Sequence, residues 1–163
     1  MKSIRPHQLE RDADHSRPAS AFPPSEGRPD PVETLLVVDD DRVVRNMESQ
    51  ILRLQGYKVL EASGAAEALR VAGEVVAIHL LITDFRMPEV DGLELTRRFR
   101  AVHPTTPVLM VSGSFPLVRD QIESLDRFEF LEKPFGIAEL LQKVRTLLDV
   151  VVPLPKRQSS GSN

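Results

Sequence analysis

The sequence predicts an α/β fold, a doubly wound sheet of five parallel strands flanked by five helices. Short, continuously apolar runs recur along the chain, as expected for strands that are buried on both faces of a parallel sheet. Each run is followed by a segment in which apolar residues repeat at helical spacing. Strand–helix units in series imply right-handed crossovers with helices on both faces of the sheet. A chain of 163 residues suits one such domain with terminal extensions.

The first two units are the most regular part of this pattern. The run "TLLVV" (Thr34–Val38) predicts the first strand, and the helix that follows is expected to end at Gly56. That helix places its apolar residues on one face, namely Val44, Met47, Ile51 and Leu54. The run "YKVLEA" predicts the second strand, and Ala65–Ala72 predicts a second helix that ends at Gly73.

Three further units follow. The run "AIHLLIT" predicts the third strand, with a third helix over Leu93–Val102 that ends before a proline. The run "PVLMVS" predicts the fourth strand, followed by a less regular helix over Leu117–Leu125. The last unit pairs the strand "RFEFLE" with the clearest helical pattern of the chain. The apolar residues of this fifth helix are Ile137, Leu140, Leu141, Val144, Leu147 and Leu148.

The two ends of the chain differ in composition from this central part. Residues 1–33 hold six of the thirteen prolines and a single aromatic residue, Phe22. Such a segment buries too little apolar surface to offset the entropy of an ordered chain, so a disordered tail is predicted. Residues 152–163 have a similar composition and predict a second disordered tail, which leaves residues 34–151 as the folded domain.

The composition excludes several classes of function. A net charge of −3 without clustered basic residues gives no reason to expect direct nucleic-acid binding. The opening of the chain lacks the apolar core of a secretory signal, and no segment approaches the ~20 apolar residues that span a bilayer. The absence of cysteine rules out disulfides and fits a reducing cytoplasm. A cytoplasmic protein without membrane contact is therefore expected.

Polar side chains follow four of the predicted strands at the point where each strand ends. They are Asp39, Asp40 and Asp41 after the first strand, Asp84 after the third, Ser112 at the end of the fourth and Lys133 after the fifth. Each has an ordinary structural interpretation by itself, as a solvated turn, a helix cap or a surface lysine. In an open parallel sheet, however, ligands bind beyond the carboxyl ends of the strands. Convergence on one edge therefore predicts a functional site.

Magnesium-assisted phosphoryl transfer is the chemistry that needs this set of groups. Mg²⁺ prefers hard oxygen ligands, which Asp39 and Asp40 would supply. A phosphoryl group that moves onto a carboxylate develops charge on its oxygens and requires a cation, a fixed lysine and a hydroxyl donor nearby. Asp84 is the expected nucleophile, because it is a single carboxylate on a different strand from the acidic cluster.

Four motifs in this order resemble the receiver domain of two-component response regulators: "VVDDD", "LLITDFRMPEVDG", "VLMVSG" and "EKPF". The resemblance extends from Leu35 to about Val150. It implies a flavodoxin-like arrangement of five strand–helix units in which Asp84 is the phosphoacceptor, with Lys133 and Ser112 in contact with the phosphoryl group. The ligands that it implies for Mg²⁺ are Asp39, Asp40, Asp84 and the backbone carbonyl of Arg86.

The resemblance also covers residues around the site. Phe130 stands at the aromatic switch position, which is often Tyr, so that a ring could follow Ser112 inward after phosphorylation. Arg86 and Ser114 stand at positions that influence the lifetime of the phosphoryl group in the family. A cis peptide bond is implied before Pro134. The loop after the phosphoacceptor is implied to be shaped by Met87, Pro88 and Gly92.

These observations predict a phosphorylation-controlled signalling switch without an output domain in this chain. It would accept a phosphoryl group from a phosphohistidine of a sensor histidine kinase or phosphotransfer protein. A downstream partner is expected on the face formed by the fourth helix, fifth strand and fifth helix, and homodimerisation remains open. The chain would assist its own phosphorylation and dephosphorylation without being a metabolic enzyme. The histidines are interpreted as structural or solvated, because none has ligand-like spacing: His7, His15, His79 and His103.

Two other functions fit part of the pattern. Asp39, Asp41 and Val43 match the DxDxV signature of haloacid-dehalogenase-like phosphatases, a class that also needs an acidic pair after its motif lysine. The acidic residues that follow Lys133 lie on the last predicted helix, so that metal site would be incomplete. The second alternative is a receiver-like interaction module that never turns over phosphate, and the intact Asp84 argues against it.

Overall fold

A parallel sheet of five strands forms the centre of the computed structural model, which describes residues 32–113 and 126–149. The strands lie in the order β2-β1-β3-β4-β5. They are β1 (Thr34–Val38), β2 (Lys58–Ala62), β3 (Leu80–Asp84), β4 (Val108–Ser112) and β5 (Phe128–Glu132). The chain moves outward from β1 to β2 and then returns to the other side of β1, so the strand order reverses between β1 and β3. This topology confirms the predicted doubly wound fold and places the switch point beside β1.

Helices cover both faces of the sheet. Those in the described ranges are α1 (Arg42–Leu54), α2 (Ala65–Glu74), α3 (Gly92–Val102) and α4 (Ile137–Asp149). The helix α4 is the fifth helix of the sequence prediction, because the helix predicted over Leu117–Leu125 lies outside the described residues. The two predicted tails also lie outside them, except for the last residues of the first. Within the ranges described, the helices are all too short or too polar to span a membrane.

The core has one layer on each side of the sheet. Leu35 and Val37 of β1 face the layer that contains Leu52 of α1 together with Leu140 and Val144 of α4. On the other side, the core combines residues of β1, α2 and α3: Leu36, Val38, Ala65, Ala68, Leu95 and Phe99. Since side chains alternate along a strand, a central strand that is apolar throughout feeds both layers.

The buried face of α1 differs from the prediction. The helix buries Glu48, Ser49 and Leu52, whereas Met47 is 47% exposed and Leu54 is 84% exposed. The orientation of α1 is fixed by the short connection from β1 and by packing on the sheet, and these constraints override the apolar pattern of the helix. The predicted end of the helix is confirmed, because Gly56 follows it with a φ of 93°, a backbone conformation that favours glycine.

Candidate functional site

Three charged side chains meet at the carboxyl edge of the sheet. The ammonium group of Lys133 donates hydrogen bonds to Oδ1 of Asp84 at 2.7 Å and to Oδ2 of Asp39 at 3.0 Å. Asp39 follows β1, Asp84 is the last residue of β3, and Lys133 follows β5. The residues two positions earlier all belong to the core layer under α1 and α4: Val37, Ile82 and Leu131. The site is therefore the polar end of that layer, because side chains two apart on a strand share a face.

Asp39 is held rigidly in this cluster. Its Oδ1 accepts a hydrogen bond from the backbone N–H of Asp41 at 2.7 Å, and its backbone carbonyl accepts one from Arg45 at 2.5 Å. Only 2% of the residue is exposed. Burial raises the pKa of Asp39, although the hydrogen bond and the charge of Lys133 oppose that shift. A buried carboxylate of this kind gains from any additional cation.

The three consecutive aspartates have three different environments. Asp40 is exposed at the rim of the cluster, next to the buried Asp39. Asp41 is the N-cap of α1, where its Oδ1 accepts hydrogen bonds from the backbone N–H groups of Val43 at 2.8 Å and Val44 at 3.3 Å. The carboxylate of Asp41 is thus occupied by hydrogen bonds from the start of α1. Its carboxylate is therefore not the second catalytic group that a DxDxV phosphatase would need.

Both carboxylate oxygens of Asp84 are engaged. Oδ1 accepts the hydrogen bond from Lys133, and Oδ2 accepts one from the backbone N–H of Arg86 at 2.6 Å. The residue is 9% exposed, so its carboxylate is reachable from solvent at the edge of the sheet. A carboxylate with a fixed orientation, a neighbouring cation and limited solvent access at a sheet edge has the geometry of an oriented nucleophile.

The loop after Asp84 packs tightly against the strand end. A Cβ atom on Gly92 would lie 2.3 Å from the backbone oxygen of Asp84, so only glycine fits there without a shift. Met87 is buried in the core layer under α2 and α3 and anchors the loop. Asp91 caps α3 by accepting a hydrogen bond from the backbone N–H of Glu94 at 2.8 Å. The motif "DFRMPEVDG" thus fixes the backbone around Asp84.

Lys133 is positioned by its backbone as well as by its charge. Its N–H donates to the backbone oxygen of Ser112 at 2.9 Å, and the peptide bond to Pro134 is cis, as predicted. Burial lowers the pKa of Lys133, but the hydrogen bonds to Asp84 and Asp39 outweigh burial and leave the pKa above its usual value. The lysine is therefore fully charged at neutral pH.

Ser112 and Phe130 lie on the neighbouring strands. Ser112 ends β4 and is 2% exposed. Phe130 on β5 is half-buried and packs in a small apolar cluster with Leu93 and Met110. The structure therefore puts both predicted switch residues on the side of Asp84 where β4 and β5 lie. The side chain of Arg86 is exposed beside Asp84, and Ser114 lies outside the described residues.

Asp39, Asp40 and Asp84 are the groups that could hold a cation. Carboxylate oxygens at a strand edge are the hard ligands that Mg²⁺ prefers. Among the described residues, no three acidic or imidazole side chains converge on one point. Lys133 lies between Asp39 and Asp84, so two of these carboxylates are separated by its ammonium group. Mg²⁺ commonly uses one or two carboxylates and retains waters, so this donor set fits the ion.

Two residues near the site were not singled out from the sequence. Arg45 bonds to the backbone of Asp39, as described above. Glu48 is buried in α1, and its charge interacts with those of Asp39, Asp84 and Lys133. The sequence carries no clear signal for Glu48, because the apolar pattern of α1 predicted a different buried face and only the packed helix shows that Glu48 shares a face with Leu52. A charged residue in that position is unusual.

Comparison with known proteins identifies the family. The family model described as the response regulator receiver domain matches residues 35–145. The chain belongs to the response regulator receiver family. The chain is 37% identical over 119 residues to the response regulator MprA of Mycobacterium leprae, an alignment that covers 70% of this receiver chain and 50% of MprA. It is also 33% identical over 118 residues to the sensor kinase CckA of Brucella abortus, covering 71% of this chain and 12% of the kinase. The receiver chain thus spans half or less of these relatives.

Solved structures agree with this membership. The receiver domain of the hybrid histidine kinase CckA superposes with a TM-score of 0.61 at 37% identity, covering 71% of this chain and 98% of that domain. The chemotaxis protein CheY4 of Vibrio cholerae superposes with a TM-score of 0.67 at 29% identity, covering 72% of this chain and all of CheY4 (100%). The predicted family, fold class and signalling role as a receiver domain are confirmed, and the phosphatase alternative is wrong. Receiver domains of this family interact with histidine kinases or phosphotransfer proteins.

Proposed function

We propose that this receiver domain is a phosphorylation-controlled switch in which Asp84 accepts a phosphoryl group from a phosphohistidine. The donor would be a sensor histidine kinase or a phosphotransfer protein. The observation that carries the proposal is the environment of Asp84. Its carboxylate is oriented by the N–H of Arg86 and the ammonium group of Lys133 at the open edge of the sheet. Transfer to an oriented carboxylate requires this combination of fixed geometry and neighbouring positive charge.

The transfer forms one bond and breaks one. A carboxylate oxygen of Asp84 bonds to phosphorus while the phosphorus–nitrogen bond of the donor breaks, and the imidazole nitrogen keeps the electron pair and takes a proton from solvent. Lys133 then shifts its hydrogen bond from Asp84 to a phosphoryl oxygen, because the phosphoryl group carries more negative charge than the carboxylate. The hydroxyl of Ser112 donates to a second phosphoryl oxygen.

Mg²⁺ is the cofactor that we assign to the site, as is general for the family. The residues that would hold it are Asp39, Asp40, Asp84 and the backbone carbonyl of Arg86. When bound, it offsets the charge that develops on the phosphoryl oxygens. The chain itself orients Asp84, keeps Lys133 charged and supplies the hydroxyl of Ser112.

Phosphorylation of Asp84 is proposed to change the protein surface to which a downstream partner binds. Movement of Ser112 toward the phosphoryl group would leave space into which Phe130 can turn, because Ser112 ends β4 and Phe130 lies on β5, the strand that pairs with it. The affected face contains β5, α4 and the helix predicted over Leu117–Leu125, and we propose that the downstream partner binds there. Arg86 and Ser114 flank the site and would set the lifetime of the phosphoryl group. No metabolic substrate is part of this function.

The phosphodonor is proposed to dock on the apolar surface beside Lys133. Val43, Met47 and Leu54 of α1 are exposed apolar residues, and they line a groove together with Phe135 and Ile137 at the start of α4. Phe135 is two residues from Lys133, so a protein in this groove would contact the rim of the site. The donor histidine must reach Asp84, which favours a docking surface at this rim.

The folded unit is proposed to span residues 34–151, with tails at residues 1–33 and 152–163. We place the protein in the cytoplasm, because a chain without cysteine suits a reducing compartment. Neither proposal depends on the chemistry of the site.

Acetyl phosphate labelling tests the assignment of Asp84. The full chain is incubated with radioactive acetyl phosphate and Mg²⁺, and Asp84→Asn is compared with Asp41→Asn. Each variant loses one carboxylate, and asparagine keeps the helix cap at position 41. We expect Asp84→Asn to lose the label and Asp41→Asn to keep it. Label that persists on Asp84→Asn would remove Asp84 as the acceptor. A parent protein that stays unlabelled by any donor would instead favour a phosphate-independent interaction module.

A further inference from the structure

We propose that Glu48 is a fourth acidic group of the phosphoacceptor site, which does not bind the cation directly but supplies negative charge beneath Asp39 and strengthens divalent cation binding. The inference rests on the proposed function, because a cation at Asp39 and Asp40 is part of that function. Nothing in the phosphotransfer step described above uses Glu48.

Glu48 lies on the buried face of α1, in the middle of the helix. It lies four residues before Leu52, so both side chains project from the same face of the helix. Leu52 packs in the core layer that ends at Asp39, Asp84 and Lys133. Because α1 begins directly after the acidic cluster, Glu48 is one helical turn closer to that cluster than Leu52 is. Glu48 thus occupies the boundary between the apolar layer and the charged edge.

A buried acid at this boundary lowers the stability of the folded protein, so packing does not explain why Glu48 is there. Glu48 is 2% exposed, and its Oε1 has no hydrogen-bond partner among the described residues. Buried polar atoms are normally hydrogen-bonded, and an apolar side chain at the same place would avoid the loss of solvation. A residue of this kind calls for a role outside packing, and the nearest candidates are the charges that act on it.

Those charges come from three strands of the sheet. Asp39 after β1 and Asp84 at the end of β3 disfavour a negative charge on Glu48, whereas Lys133 after β5 favours it. Burial is the largest effect and, with these charges, raises the pKa of Glu48 to about 7. The neutral and ionised forms are therefore both accessible near neutral pH. A divalent cation beside Asp39 adds positive charge and stabilises the ionised form.

The coupling between the cation and Glu48 acts in both directions. If a bound cation favours ionised Glu48, then ionised Glu48 must favour the bound cation by the same factor. A single opposite charge nearby commonly shifts the pKa of a carboxyl group by about one unit or more. A shift of that size corresponds to about a tenfold change in cation affinity once Glu48 is free to ionise.

Calorimetric titration with Mg²⁺ at pH 8 tests the inference on the full chain. We expect Mg²⁺ to bind Glu48→Gln about tenfold more weakly than the parent, and Glu48→Leu with a similar loss. Glu74→Gln is the matched control, because it removes one carboxylate from an exposed position at the end of α2, away from the carboxyl edge of the sheet. Its affinity should equal that of the parent. Titrations at pH 7 in buffers of different ionisation enthalpy should show proton release in the parent and less release in both Glu48 variants.

The outcomes separate this inference from the proposed function. Unchanged Mg²⁺ affinity and unchanged proton release in the folded Glu48 variants would overturn the role of Glu48, while the acetyl phosphate labelling of the parent would still support Asp84 as the acceptor. A parent that neither binds Mg²⁺ nor becomes labelled would overturn the proposed function itself. If Glu48→Gln does not fold, Glu48→Leu gives the decision, because an apolar side chain suits this buried position.

Discussion

Single side chains at the ends of β1 and β3 show how residue type and position together set a role. Asp39 and Asp41 are two residues apart, yet the first is a buried partner of Lys133 and the second is an exposed helix cap. Gly92 contributes by the absence of a side chain, since its backbone approaches the carbonyl of Asp84. At this scale, the site depends as much on atoms that fix the backbone as on the charged groups.

Gly92→Ala is expected to destabilise the protein by about 1–3 kcal/mol, because the added methyl group overlaps the Asp84 carbonyl and must displace it. The same change at Gly73 in α2 meets no atom within 4 Å and should stabilise by about 0.5–1 kcal/mol. Urea unfolding of both variants measures the difference. We also expect slower acetyl phosphate labelling of Gly92→Ala. Equal stability of the two variants would show that the loop relaxes without strain.

The helix α1 links the site to the surface. Its N-cap, Asp41, follows the acidic pair, its buried face carries Glu48 toward the charged edge, and its outer face exposes apolar side chains. Helices of this kind normally bury their apolar stripe. Val43 and Met47 are exposed near the phosphoacceptor, and we therefore propose that the phosphodonor docks on α1.

Met47→Glu is expected to slow phosphotransfer from a histidine-phosphorylated protein donor by about tenfold or more, since a charge replaces an apolar contact in the groove. Labelling by acetyl phosphate should be unchanged, because that small donor does not need the groove. Val76→Glu is the control, an equally apolar-to-charged change at a 99% exposed position between α2 and β3. A Met47→Glu variant that is phosphorylated by the protein donor at the parent rate would move the docking surface elsewhere.

Across the whole molecule, the order of the strands assembles the site from distant parts of the chain. Lys133 and Asp39 are 94 residues apart in sequence and come into contact because β1, β3, β4 and β5 lie side by side. Arg145 of α4 ties the two ends of the described chain together through hydrogen bonds of 3.1 Å to both carboxylate oxygens of Glu33. Charges gathered in this way make stability depend on pH.

The metal-free parent is expected to lose stability relative to Glu48→Gln as the pH rises from about 4.5 to about 7. Burial raises the pKa of Glu48 from 4.5 to about 7, so the folded state retains a proton that the unfolded chain has released. The retained proton stabilises the fold fully below the pKa that Glu48 has in the unfolded chain. This stabilisation is lost as the pH rises through the pKa of Glu48 in the folded protein, which lowers the free energy of unfolding by up to about 3 kcal/mol. Urea unfolding of both proteins with a chelator at pH 5 and pH 8 measures it. A parent-to-variant difference that is equal at the two pH values would contradict the prediction.

The sequence by itself determined the strands, most helix limits and the residues of the carboxyl edge. Apolar runs bounded by polar residues identify buried strands, because only such runs can be covered on both faces. The motif "DFRMPEVDG" and the order of Asp39, Asp84 and Lys133 carry the resemblance to the family without any knowledge of the contacts between these residues. These features are local in the chain, or are fixed by where a strand ends.

Tertiary structure alone decided which face of α1 is buried and which roles Asp39, Asp40 and Asp41 have. The pattern of apolar residues predicted a face with Met47 and Leu54, but packing on the sheet turned Glu48, Ser49 and Leu52 inward. Which aspartate becomes buried, which remains exposed and which caps the helix depends on the angle at which the chain leaves β1. Such choices follow from contacts between residues far apart in sequence, and the free energy of those contacts exceeds the preferences of a single helix.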